Sequence, residues 1–244
     1  MRLYALKMQQ YKAIFIDWDD TIGDFINAAH CSLQDMFTNH QLATHFLDFQ
    51  TFYNIYHTHN LSLWERYGRD EVTKEYLSFD RFFYPLMMAP VPYSLAEAIP
   101  LARVLGAEHL EHTTMYFRLL PDAEEVVRKL AERYPLTIVS NGFIEVQYRK
   151  VEKSGLRDCF RHIVLSEEVG AQKPNPKIYE EALRLNDCRP EDVLMIGDSW
   201  TSDIQGAINA GIDQLWVQSG IVKDPDLPAT YKVACLRDVL PLLI

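Results

Sequence analysis

From about residue 121 onward the chain alternates two kinds of segment, and this alternation restricts the fold more than any other feature. Four short runs, 136–140 (LTIVS), 162–166 (HIVLS), 193–198 (VLMIGD) and 214–218 (QLWVQ), are apolar along nearly their whole length. A strand that is apolar on both faces has to be covered on both faces, the situation of a parallel sheet between layers of helix. Between the runs, apolar residues recur at helical spacing: Val126, Val127, Leu130, Ala131 and Tyr134; Ile178, Ala182 and Leu185; Ile204, Ala207 and Ile208. Asn175 followed by Pro176 predicts a helix start, and Gly211 after Asn209 and Ala210 a helix stop. The apolar run at 13–17 supplies a further strand. The expected fold is α/β, a doubly wound, Rossmann-like parallel sheet.

Residues 24–113 break the alternation. They are rich in aromatics and helical in pattern, with Phe25, Ala29, Leu33, Met36 and Phe37 on one face, and they hold no strand-like run. An all-α domain inserted after the first strand is therefore expected at 24–113. Residues 1–23 and 114–244 then form the core. Within the insert, 87–94 (MMAPVPYS) reads as a loop.

The first strand ends in Asp17, Asp19 and Asp20, three carboxylates within four residues. Two such charges 4 Å apart repel by roughly 4 kcal/mol at an effective dielectric near 20, so water, a proton or a metal ion has to offset them. In an open parallel sheet, ligands bind beyond the carboxyl ends of the strands. There the second run delivers Ser140, Asn141 and Gly142, and the segment after the third delivers Lys173. The fourth delivers Asp198, with Ser202 and Asp203 just beyond. Carboxylates, a hydroxyl with backbone amides and an ammonium at neighbouring strand ends fit a carboxylate nucleophile, a phosphate cradle and a Mg²⁺ site.

Composition narrows the partners. A formal net charge of −10 argues against a nucleic-acid groove or an anionic membrane surface. No run approaches the length of a membrane span, and the opening MRLYALKMQQYK is too polar for a secretion signal. The four cysteines, Cys31, Cys159, Cys188 and Cys235, are scattered without metal-type spacing, which suits a reducing compartment. The expectation is a cytoplasmic protein, monomer or homodimer, acting on a small phosphorylated metabolite.

The set DWDDT, SNG, KPNP and GDSWTSD, in that order, resembles the four motifs of the haloacid dehalogenase-like (HAD) superfamily of phosphohydrolases, and the helical insert resembles its type I cap. The longer text from SNGF to DIQGAINAG is similar, more narrowly, to the bacterial nucleotide 5′-monophosphatases of that superfamily (pyrimidine nucleotidase type). The resemblance implies Asp17 as nucleophile, forming an aspartyl-phosphate, and Asp19 as general acid and then base. It implies Mg²⁺ on Asp17, the Asp19 carbonyl and Asp198, with Asp203 behind them and Thr21 orienting Asp17. It implies phosphate on Ser140, Asn141 and nearby amides, with Lys173 balancing the anions. The implied activity is Mg²⁺-dependent hydrolysis of nucleoside 5′-monophosphates. The alternatives are a sugar-phosphate or phosphoglycolate phosphatase, a phosphomutase, a 2-haloacid dehalogenase, against which Asp19 and the last acids count, and a non-catalytic binding protein.

Plainer readings stand beside these. Asp20 is read as structural and Trp18 as a packing residue. Ser202 and Asp203 also suit a helix N-cap. Gly142 is read as allowing close approach of backbone to phosphate. Trp64 and Tyr67 are read as packing the insert at least as much as touching substrate. His57 with His59, and His109 with His112, are read as surface or core residues and not ligands.

Overall fold

The structure, a computed structural model, describes residues 11–218 and 228–244. The polar opening segment, through residue 10, lies outside them. The chain forms two compact units, Phe25–Phe117 and a unit built from the segments before and after it.

In the second of these, strands β1 (Ala13–Ile16), β2 (Leu136–Ser140), β3 (Phe160–Leu165), β4 (Val193–Gly197), β5 (Asp213–Val217) and β6 (Tyr231–Val233) form one sheet in the order β3-β2-β1-β4-β5-β6. Every pairing is parallel. All four residues of β1 are buried, as are all of β2 and β4, the condition that the continuous apolar runs call for. Ala13 and Phe15 pack in one cluster with Val193, Met195, Ile178 and Ala182, so Ile14 and Ile16 point to the opposite face, where they are equally buried. The sheet is thus covered on both sides. The strand β6, three residues long, carries no apolar run, and the sequence reading does not include it.

The other unit is helical: α1 (Phe25–Asn39), α2 (Phe49–Gly68), α3 (Lys74–Met87) and α4 (Leu95–Met115). It has its own core, which includes Leu33, Met36, Phe46, Phe52, Phe82 and Leu105. Sharp starts come from caps: Asp48 accepts from Thr51 N–H, and Ser94 forms a reciprocal capping box with Glu97. The loop predicted at 87–94 falls between α3 and α4 except for Met87, the last residue of α3. Leu63 is buried, while Trp64 and Tyr67 are half-buried and pack edge to face. His109 is buried against Ser32 and Tyr56, and His59 pairs with Asp80 at 2.8 Å.

The remaining helices are α5 (Ala123–Ala131), α6 (Ile144–Lys153), α7 (Ser166–Val169), α8 (Pro176–Asn186), α9 (Gln205–Asn209) and α10 (Leu240–Leu243). Asn175 caps α8 through Lys177 N–H, with Pro176 in the first turn. Gly211 takes a left-handed φ of 71° just beyond α9, the stop that the sequence predicts. The strand order reverses between β1 and β4. In a doubly wound sheet the crevice at that reversal is where ligands bind.

Candidate active site

The Asp17 N–H donates to Ile196 O of β4 at 2.9 Å, one residue beyond the end of β1. The chain then curls. Ile22 and Gly23 N–H both donate to Trp18 O at 2.9 Å, and Asp20 N–H donates to Gly23 O at 2.7 Å. Asp20 takes a φ of 63°, a left-handed conformation that aspartate tolerates better than most residues. This turn is what frees Asp19 from the side-to-side alternation of a strand. Trp18 is buried and meets Phe160 edge to face at 5.9 Å, as the packing reading expects.

Asp17, Asp198 and Asp203 each place a carboxylate oxygen within 4.8 Å of the other two. Lys173 binds two of them: its Nζ donates to Asp17 Oδ1 at 2.5 Å and to Asp203 Oδ1 at 2.6 Å, all three side chains being buried. Asp203 is further fixed by Ser199 N–H, which donates to Oδ2 at 3.0 Å. It lies in a wide turn, Trp200–Ile204, that precedes α9. The residue that caps this turn is Ser199, whose Oγ accepts from Ser202 N–H at 3.3 Å; the N-cap reading of Ser202 and Asp203 is corrected accordingly. A Cβ on Gly197 would collide with the Asp203 side chain, so the glycine that ends β4 is what lets Asp203 fold back under the strand. Trp216 Nε1 of β5 donates to Asp198 O at 2.8 Å and holds the next residue in place.

Two further expectations change in detail. Thr21 Oγ1 donates to Asp198 Oδ1 at 3.1 Å, so it orients Asp198 and not Asp17. The reason is the turn at 18–23, which carries Thr21 past the end of β1 toward β4. Both atoms of the Asn141 side-chain amide bond the Lys173 backbone: Nδ2 donates to its carbonyl at 2.9 Å, and Oδ1 accepts from its N–H at 2.8 Å. Asn141 therefore ties the end of β2 to the segment that carries Lys173.

Asp19 stands in a different ion pair. Lys150 Nζ donates to its Oδ1 at 2.8 Å and Gln147 Nε2 to its Oδ2 at 3.0 Å. Gln147 Nε2 also donates to Ser140 Oγ at 2.6 Å, and Gly142 N–H donates to the same oxygen at 3.1 Å. A Cβ on Gly142 would collide with Gln147, so its lack of a side chain makes room for this amide. Sequence reasoning missed Gln147 and Lys150, although a signal exists. Val146, Gln147, Lys150 and Val151 form the buried face of α6, and two polar residues within such a stripe need partners.

The electrostatics follow from burial. The Asp17 carboxyl is raised well above the carboxylate range by burial, with Asp203 and Asp198 adding to the effect against the pull of Lys173. Asp198 is pushed up to about 7, by burial first and then by the charges of Asp203 and Asp20. Burial works to lower Lys173, but Asp17 and Asp203 outweigh it and raise the ammonium above its ordinary value. Three close carboxylates face one ammonium, an excess of negative charge that a dication relieves. An all-oxygen donor set at strand ends suits Mg²⁺, which takes one or two carboxylates plus substrate phosphate. Among the described residues, this is the one group of three or more acids, histidines or cysteines close enough to share an ion.

Fold and site together define a doubly wound α/β core with clustered carboxylates and a buried lysine where the strand order reverses. The profile of the haloacid dehalogenase-like hydrolases matches residues 11–211, and the chain belongs to that family. Among its relatives, the pyrimidine 5′-nucleotidase YjjG of Escherichia coli K12 is 33% identical over 94% of this chain and 96% of its own. The glyceraldehyde 3-phosphate phosphatase of Pyrococcus furiosus is 29% identical over 97% of this chain and 94% of its own. Among solved structures, the putative HAD-hydrolase YfnB of Bacillus subtilis, bound to magnesium, superposes with a TM-score of 0.82 at 27% identity, over 96% of this chain and 99% of that one.

Proposed function

We propose that the protein is a Mg²⁺-dependent phosphomonoesterase that works through an aspartyl-phosphate on Asp17, with nucleoside 5′-monophosphates as substrates. The observation that carries the chemistry is the separate pairing of the two acids of the first motif, Asp17 by Lys173 and Asp19 by Lys150. One is held deep beside Asp198 and Asp203, the other at the more open edge.

In this reading an Asp17 carboxylate oxygen attacks phosphorus, forming an O–P bond as the ester P–O bond breaks. Asp19 gives its proton to the leaving oxygen, which departs as the alcohol. Asp19 then takes a proton from water, whose oxygen attacks phosphorus. The bond to Asp17 breaks, releasing inorganic phosphate and restoring the carboxylate. Ser140 already accepts two hydrogen bonds, one of them from the Gly142 amide, so its own O–H is the donor it can offer a phosphate oxygen, joined by the backbone amide of Asn141. Lys173 compensates the charge of Asp17 and of the bound phosphoryl group. Asp17, the Asp19 carbonyl and Asp198 would hold Mg²⁺, with Asp203 and Thr21 fixing Lys173 and Asp198. Once bound, the ion neutralises charge on the transferring phosphoryl group.

The nucleotide assignment rests on the E. coli relative's name and on the run from SNGF to DIQGAINAG. The P. furiosus relative favours a second reading, a small sugar phosphate. The unit Phe25–Phe117 is the type I cap of the resemblance and selects the leaving group. No helix among the described residues is long and apolar enough to cross a membrane, and the reading is of a cytoplasmic enzyme, monomer or homodimer, without nucleic-acid partners. Phosphate release across a panel of phosphomonoesters, with Mg²⁺ and with chelator, tests it. Nucleoside monophosphates should lead, and chelator should abolish release. A sugar phosphate in the lead keeps the mechanism and discards the nucleotide; no release from any ester discards both.

A further inference from the structure

The α6 helix begins four residues after Ser140, and its start is fixed from outside: Ile144 N–H donates to Glu167 Oε2 at 2.7 Å. From this anchored helix two side chains reach back to the turn after β1. Lys150 is 1% exposed and Gln147 fully buried, while the Asp19 side chain they hold is a quarter exposed. A lysine in such surroundings is rare unless paired. Their donors go to different oxygens of one carboxylate, at 2.8 and 3.0 Å. Two contacts on two oxygens fix the carboxylate's plane as well as its position, which one contact does not. Gln147 also bonds Ser140 at 2.6 Å, so one amide sets the distance between the hydroxyl that would meet the phosphate and the acid that would meet the leaving oxygen.

We infer that Lys150 and Gln147 are positioning residues for Asp19, a two-pronged clamp on α6 that holds the proton-transferring carboxylate in register with the phosphate subsite. This rests on the phosphatase reading above and adds residues that none of the four motifs contains. The clamp acts on proton transfer and not on attack by Asp17, because Asp17 is held by Lys173, from another segment of the chain. Proton transfer by a placed side chain contributes about 10²–10⁴-fold, and small misplacements forfeit much of such factors. An alkyl phosphate needs its leaving oxygen protonated. The p-nitrophenolate of p-nitrophenyl phosphate leaves without a proton.

The experiment is steady-state kinetics of wild type, Lys150→Met, Lys150→Arg and Asp19→Asn on an alkyl phosphate and on p-nitrophenyl phosphate, with Mg²⁺. Lys150→Met should lose about tenfold or more in kcat/KM on the alkyl ester and severalfold less on the nitrophenyl ester, because kcat/KM ends at phosphoryl transfer to Asp17, before the water attack that both esters share. Lys150→Arg, which keeps the cation, should recover part of the loss. In the Asp19→Asn background, Lys150→Met should cost little further. Should Lys150→Met not fold, Lys150→Gln, which keeps a donor without the charge, carries the same comparison. Equal losses in kcat/KM on both esters, or full additivity with Asp19→Asn, would overturn the clamp while leaving the phosphatase reading in place. A wild type inert towards both esters would overturn that reading and the clamp together.

Discussion

Replacing Lys173 with Met leaves Asp17 and Asp203 buried without their common ammonium, which now donates to them at 2.5 and 2.6 Å. Breaking a buried ion pair by removing one partner costs about 3–5 kcal/mol, because the remaining charge is stranded. Here two carboxylates are stranded, so the upper part of that range applies. In a chain of this size each kcal/mol moves Tm by about 2–4 °C, giving a fall of roughly 10–20 °C. The assay is thermal unfolding in chelator, followed by tryptophan fluorescence. Trp18, Trp200 and Trp216, three of the four tryptophans, belong to the unit that contains the site. Two conditions sharpen it. Without Lys173, the Asp17 carboxyl loses the pull that lowers it and is left raised by burial, so the deficit is largest at high pH and shrinks as pH falls and protons replace the missing cation. Mg²⁺ should also restore more stability to the variant than to wild type. A Tm change under about 3 °C at pH 8 in chelator, or a deficit that grows on acidification, would refute the account of Lys173 as the counter-charge of a buried acid pair.

Asp17→Asn should abolish phosphate release while keeping the fold, checked by turnover and a melting curve; appreciable residual turnover would rule out the covalent route. Two glycines of the site, Gly197 and Gly142, leave no room for a methyl group. Gly197→Ala forces a methyl group against Asp203, which is pinned by Lys173 and Ser199, and should cost about 1–3 kcal/mol. Gly142→Ala meets the buried Gln147 side chain at Cγ, Cδ and Nε2, so it should lower kcat by displacing the amide that bonds Asp19 and Ser140 and also cost about 1–3 kcal/mol, read by parallel kinetics and melts. In the helical unit, Arg81 is 3% exposed and its Nε and Nη2 have no hydrogen-bond partner. Burial pulls its pKa down. Arg81→Met should therefore be neutral or raise Tm in a melt of the Mg²⁺-free protein, because an apolar side chain of similar length carries no buried charge.

The strands β2 and β4 are legible because a parallel strand covered on both faces has to be apolar throughout, a property written in consecutive residues. The same holds for the start of α8, where Asn175 and Pro176 act on the next turn of backbone. The short edge strand β6 has no such local signature, since its ladder depends on Val217 and its neighbours being in place first. In the site, Asp17, Asp19, Lys173, Asp198 and Asp203 were legible because each follows a strand whose end the fold class makes functional. Their pairing was not. That Lys173 serves Asp17 and Asp203 while Lys150 serves Asp19, that Thr21 turns to Asp198, and that Asn141 grips the backbone of Lys173 are facts about side chains far apart in sequence. Local periodicity and capping report what a segment does with its own neighbours. Which buried charge meets which counter-charge is decided by strand order and by the turns beyond the strand ends, and those exist only once the sheet has formed.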